Sequence, residues 1–141
     1  MGVLNQSIFL FEAPIPQNLD SIYSGALTAA NTAYTRKGGA GVYFYQAISI
    51  TVPMTGVYTV RSSSSIIDAY GYLYQHHFNL GNLLENYLME DDDSGGDQQF
   101  RMVFSGQPGT TYVLVFTTFA SDVQGAFTVT VTGPARATMR A

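Results

Sequence analysis

The run Glu90-Asp91-Asp92-Asp93-Ser94-Gly95-Gly96-Asp97 concentrates carboxylates beside two glycines. Ca²⁺ prefers such hard oxygen donors and takes six to eight of them at about 2.3 to 2.6 Å. Asp91, Asp92, Asp93 and Asp97 are the candidate metal ligands, with Gly95 and Gly96 letting the backbone reverse so that carbonyls can join the shell. The spacing is not that of an EF-hand, because the glycine comes too early and the closing Glu is missing. The same composition also describes a solvated acidic turn, whose adjacent carboxylates repel one another unless something offsets them.

Two other constellations offer chemistry. His76-His77 presents imidazoles, which suit Zn²⁺, with Glu85 or Asp68 as a third ligand. Neighbouring residues of an extended chain point to opposite faces, however, so the pair reads as part of a loop. A Ser/His/Asp set can be assembled on paper from Ser62 to Ser65, His76 or His77, and Asp68. No Gly-x-Ser-x-Gly sequence is present to strain and expose a nucleophile, so the serines read as a turn after a strand and the chain as no enzyme.

The elements that must carry these residues alternate with a period of two. Ile48, Ile50 and Val52 share a face with Val42 and Phe44, opposite Tyr43, Tyr45, Ser49 and Thr51, which predicts one long strand over residues 42–52. Pro53-Met54-Thr55-Gly56 interrupts it, and Tyr58 and Val60 alternate with Val57, Thr59 and Arg61, so the two segments are expected to form a hairpin. Tyr70, Tyr72 and Tyr74 face away from Ala69, Gly71 and Leu73, whose small members admit close backbone approach. Phe100, Met102 and Phe104 alternate with Gln99 and Arg101, and Gln107-Pro108-Gly109 turns the chain. Tyr112 to Phe119 is apolar on both faces, as a central strand is. Phe127, Val129 and Val131 alternate with Thr128, Thr130 and Thr132 up to Gly133-Pro134. Residues 21–28 and 7–12 supply two further strand candidates, residues 35–39 loop out, and residues 80–89 read as a structured loop.

The 141 residues, rich in Thr, Val, Ile, Tyr and Phe, suit one β domain with a core of its own. The expected fold is an all-β sandwich or jelly roll of seven to nine antiparallel strands. Residues 1–20 would form an extension or first strand with a Pro-rich link, 21–134 the sandwich, and 135–141 a tail. Six basic residues oppose ten acids, a net charge of −4 that disfavours nucleic acid as a partner. Six of the ten acids fall between Glu85 and Asp97, an asymmetry that points to a cation. The chain has no Cys, which excludes disulfides and thiolate chemistry. Its first residues do not read as a signal peptide, and no apolar run is long enough to insert in a membrane, so a soluble fragment is expected.

Four segments in order, Asp68-Ala69-Tyr70-Gly71-Tyr72-Leu73-Tyr74, the acidic run 90–97, Pro108-Gly109-Thr110-Thr111-Tyr112-Val113-Leu114-Val115 and Gly125-Ala126-Phe127-Thr128-Val129-Thr130-Val131, make up a pattern that resembles the bacterial pre-peptidase C-terminal domain. It resembles still more the related modules strung in tandem along extracellular surface proteins of some animals. The likeness covers residues 41 to 134 and departs from the bacterial pattern in the longer loop from Gln75 to Met89. It implies a non-catalytic, secreted or cell-surface β-sandwich accessory module, calcium-binding in some members.

Two functions follow as expectations. In the first, the chain is a calcium-stabilised structural or adhesive module that assembles with other copies or neighbouring modules. The apolar segment Ser7 to Glu12, tethered through Pro14 and Pro16, would then lend a strand to another sheet's edge. In the second, it binds carbohydrate or a matrix protein through a platform of Tyr43, Tyr45, Tyr70, Tyr72 and Tyr74. The same tyrosines also suit core packing, and residues 7–12 suit the domain's own first strand.

Overall fold

A computed structural model describes residues 18–141, so the candidate strand at residues 7–12 lies outside the described residues. The described chain is all β, a sandwich of two antiparallel sheets with a two-stranded ribbon beside them. In chain order its strands are β1 (Leu19–Leu27), β2 (Ala33–Tyr34), β3 (Tyr43–Phe44), β4 (Gln46–Thr51), β5 (Gly56–Ser63), β6 (Ala69–Gln75), β7 (Tyr87–Asp91), β8 (Arg101–Gly106), β9 (Tyr112–Thr118), β10 (Gly125–Gly133) and β11 (Thr138–Arg140). One sheet has the order β1-β10-β5-β8, the other β11-β4-β9-β6-β7, and β2 pairs with β3. The count exceeds nine because three of these elements have only two or three residues.

The inward faces follow the alternation. Tyr58, Val60, Met102, Phe104, Phe127, Val129 and Val131 of one sheet, with Phe100 just before β8, are buried, and Ile48, Ile50, Leu73, Leu114 and Phe116 meet them from the other. β9 is buried along its whole length, paired with β4 on one side and β6 on the other. Gly71 earns its place in β6, since a Cβ there would lie 2.9 Å from the Phe100 ring of the facing sheet.

Three expectations are corrected. The segment 42–52 is two strands, not one: the ribbon strand β3 ends before Tyr45, leaving Val42 exposed and Tyr43 buried, and only β4 enters the main sheet. The turn at Pro53 to Thr55 is a crossover instead of a hairpin, because β4 pairs with β9 and β11 while β5 pairs with β10 and β8. Alternation reports which face is buried and not which strand is the neighbour. The expected tail contains β11, whose Met139 opposes Ile50 and packs against the core.

Candidate functional site

The acidic run leaves β7 at its C-terminal end and reaches β8 through a hydrogen-bonded turn. Asp91 spends its carboxylate on that turn: Oδ2 accepts from Ser94 N at 3.0 Å and Arg101 N at 2.9 Å, and Oδ1 accepts from Ser94 Oγ at 2.6 Å. Gly96 N donates to Asp93 O at 2.9 Å and Gly95 N to Gln99 O at 2.9 Å. Both glycines are required. A Cβ at Gly95 would come within 2.9 Å of Gln99 O, and Gly96 sits at φ 80°.

Asp92 and Asp93 have a third acidic neighbour that lies 24 residues earlier than Asp92. β6 and β7 pair with Gly71 opposite Asp91, so the residues just before β6 converge on those just after β7. That register brings Asp68 to Asp92 and Asp93, with one carboxylate oxygen of each within 4.8 Å of the others. Two oxygens bound on opposite sides of one Ca²⁺ at about 2.4 Å are about 4.8 Å apart, so the three can share an ion. Asp68 Oδ1 and Asp92 Oδ1 are shut off from solvent and accept no hydrogen bond among the described residues. Burial, reinforced by the charges of Asp93 and Asp68, pushes the Asp92 carboxyl up to about 6, and burial with Asp93 raises that of Asp68. Carboxylates that resist ionisation beside one another are chemically fitted to a hard cation.

Among the described residues this is the one group of three or more potential metal-ligating side chains. It differs from the expected set. Asp92 and Asp93 belong to it, Asp91 is committed to the turn, Asp97 stands exposed at φ 52°, and Asp68 replaces them. The sequence held one signal for Asp68: it immediately precedes the tyrosine strand, as the acids follow the next one. Only the pairing of those two strands makes that position informative.

Beside the carboxylate corner, the outer face of the five-stranded sheet carries a second packed layer. Tyr72 and Tyr74 are buried there with Val113 and Val115 beneath Tyr34, Tyr45, Phe78 and Tyr87. Burial raises the Tyr74 hydroxyl to about 12. Tyr43 is also buried. Three of the five tyrosines expected to form a platform are therefore covered, packed under loops and not between the sheets.

The cover is latched by Arg36, which sequence reasoning had left in an open loop. Arg36 is buried, with the residue 6% exposed. It donates to Thr118 O at 3.1 Å, Phe119 O at 2.8 Å and Lys37 O at 3.1 Å, and lies 4.3 Å from the Tyr70 ring centre. Glu90 gathers Lys37 Nζ at 2.6 Å, Tyr70 OH at 2.6 Å and Tyr87 OH at 2.7 Å. Burial works against its charge, but these three donors outweigh it and hold the Glu90 carboxyl below its ordinary range.

The remaining constellations do not converge. The ring of His76 meets Gln75, whereas that of His77 meets Glu85 at 3.3 Å and Asn86. Ser62 is buried and donates to Gln99 Oε1, and Ser64 donates to Ala126 O. No family model matches the chain, and no curated protein does. What fold and site define is a class: an all-β sandwich with a carboxylate corner where β6 begins and β7 ends.

Proposed function

We propose that this chain is a non-catalytic structural or adhesive module of an extracellular or cell-surface protein. It is stabilised by Ca²⁺ held by Asp68, Asp92 and Asp93, and it mediates assembly or surface attachment through other copies or neighbouring modules. The observation that carries the reading is the approach of three carboxylates to within 4.8 Å, two of them with an oxygen that is buried and has no hydrogen-bond partner among the described residues. Three acidic ligands on a partly exposed corner suit the weak end of calcium sites, with dissociation constants of about 10⁻⁴ to 10⁻³ M as in extracellular modules. An ion there would tie the turn before β8 to the start of β6.

What supports the non-catalytic reading is that Ser62 and Ser64 commit their hydroxyls to Gln99 and Ala126, while the His77 ring faces Glu85. Carbohydrate or matrix protein remains the rival partner, and burial of Tyr43, Tyr72 and Tyr74 removes the main argument for it. The test is light scattering after size exclusion, at high protein concentration, with millimolar calcium and with chelator. Association in calcium supports the reading. A monomer in both conditions, retained on a polysaccharide or collagen matrix, would replace it with the rival.

A further inference from the structure

The outer face of the four-stranded sheet is not covered by any other element among the described residues. Val57, Thr59 and Arg61 of β5 point out from it beside Ser105, Val103 and Arg101 of β8, while Tyr58, Val60, Met102 and Phe104 point in. Arg61 and Arg101 are direct register partners, and both are exposed. Like charges directly opposite each other on a sheet repel. Neither guanidinium has a carboxylate within 4.0 Å or a hydrogen bond among the described residues, where the ion pairs are Lys37 with Glu90 and His77 with Glu85. A chain with six basic residues thus sets two of them against each other with no compensating ion pair among the described residues.

The acidic turn leads directly into this strand. Arg101 N is bonded to Asp91, and Asp93 and Asp97 of the same turn are exposed. Each molecule therefore shows a cationic pair and an anionic turn side by side on one corner. A two-fold contact makes each patch meet the other patch of its partner, so adjacent patches of opposite sign are satisfied twice.

We propose that this corner binds a second copy of the same chain, with Arg61 and Arg101 of each molecule against the exposed Asp97 of the other. The inference rests on the assembly reading and names its surface. Exposed ion pairs are individually weak, so the contact belongs to copies held close together, as in an array, where effective concentration replaces affinity. Association should weaken with salt over the range in which the Debye length falls from about 10 Å to about 3 Å.

The experiment uses sedimentation velocity at about 1 mM protein, low salt and chelator, on the full chain and two charge-swapped forms. One carries Arg61→Glu and Arg101→Glu, the other Asp97→Lys. Each should sediment as a monomer alone, and an equimolar mixture should recover at least the dimer fraction of the native chain. A neutral form, Arg61→Ser with Arg101→Ser, keeps the test valid should charge reversal unfold the domain, and it should lose at least half of the native dimer fraction. Native-like association by the separate variants, or a mixture that stays monomeric, would overturn this corner while leaving assembly by another surface intact. A native chain monomeric here and in calcium would sink the corner and the assembly reading together.

Discussion

The ring of Phe116 in β9 lies 3.7 Å from that of Phe127 in β10, nearly parallel at 11°, and joins the two sheets at the centre of the sandwich. Both rings are buried. Truncating either to Ala should cost about 3 to 5 kcal/mol, from lost transfer energy and the cavity left behind. The double variant should cost less than the sum by about 0.5 to 1.5 kcal/mol, the coupling of an aromatic pair. Thr130→Ala, on the outer face of β10, should stay within about 1 kcal/mol. Urea denaturation measures all four, and strictly additive losses at the two rings would refute the stack.

Calcium should raise the melting temperature of the chelator-treated protein. An ion bound only by the folded state adds about 2.7 kcal/mol at a hundred times its dissociation constant, or roughly 10 °C for a domain of this size. Magnesium should do less, because it demands a tighter octahedral shell. Asp68→Asn should abolish the calcium response and Asp97→Asn should preserve it. The reverse ranking would return the site to the contiguous acidic run.

The raised carboxyl of Asp92 sets a pH dependence. In the fold it keeps its proton up to about pH 6, against 3.8 for an ordinary Asp. Between those values the folded state binds more protons than the unfolded one, so this group's contribution to stability falls as pH rises. In chelator, Asp92→Asn should gain on the native protein as pH goes from 4 to 7, read as a growing difference in melting temperature. Calcium affinity should climb across the same window as the ion displaces the proton. A difference between the two proteins that stays constant with pH would show that Asp92 titrates normally.

Arg36 should behave as a structural residue despite its charge. Arg36→Met removes the donors to Thr118 O and Phe119 O and should cost about 2 to 3 kcal/mol. Arg36→Lys should recover less than half of that, since an ammonium cannot reproduce the planar fork of donors or stack on Tyr70. Denaturant midpoints decide, and full rescue by Lys would reduce the role of Arg36 to charge alone.

Hydrophobic alternation in the sequence was enough to establish the all-β class, the inward faces of β5, β8 and β10 and the double burial of β9. A side chain's face depends only on its parity within its own strand, as Val129 and Thr130 illustrate. Neighbours were a different matter. Residues 42–52 and 57–61 read as a hairpin because they are adjacent in sequence, yet β4 and β5 lie in opposite sheets, since a strand end can turn back or cross over with the same Pro-Met-Thr-Gly residues. The acidic turn was visible as a concentration of carboxylates with two glycines. Its third member, Asp68, was not, because the pairing of β6 with β7 sets that distance and no local pattern encodes it. Arg36 likewise reads as a loop cation until the tertiary structure lays it over Tyr70 and beneath the carbonyls at the end of β9. Contacts among residues dozens of positions apart depend on register and layer order, which the whole chain settles together when it buries its core.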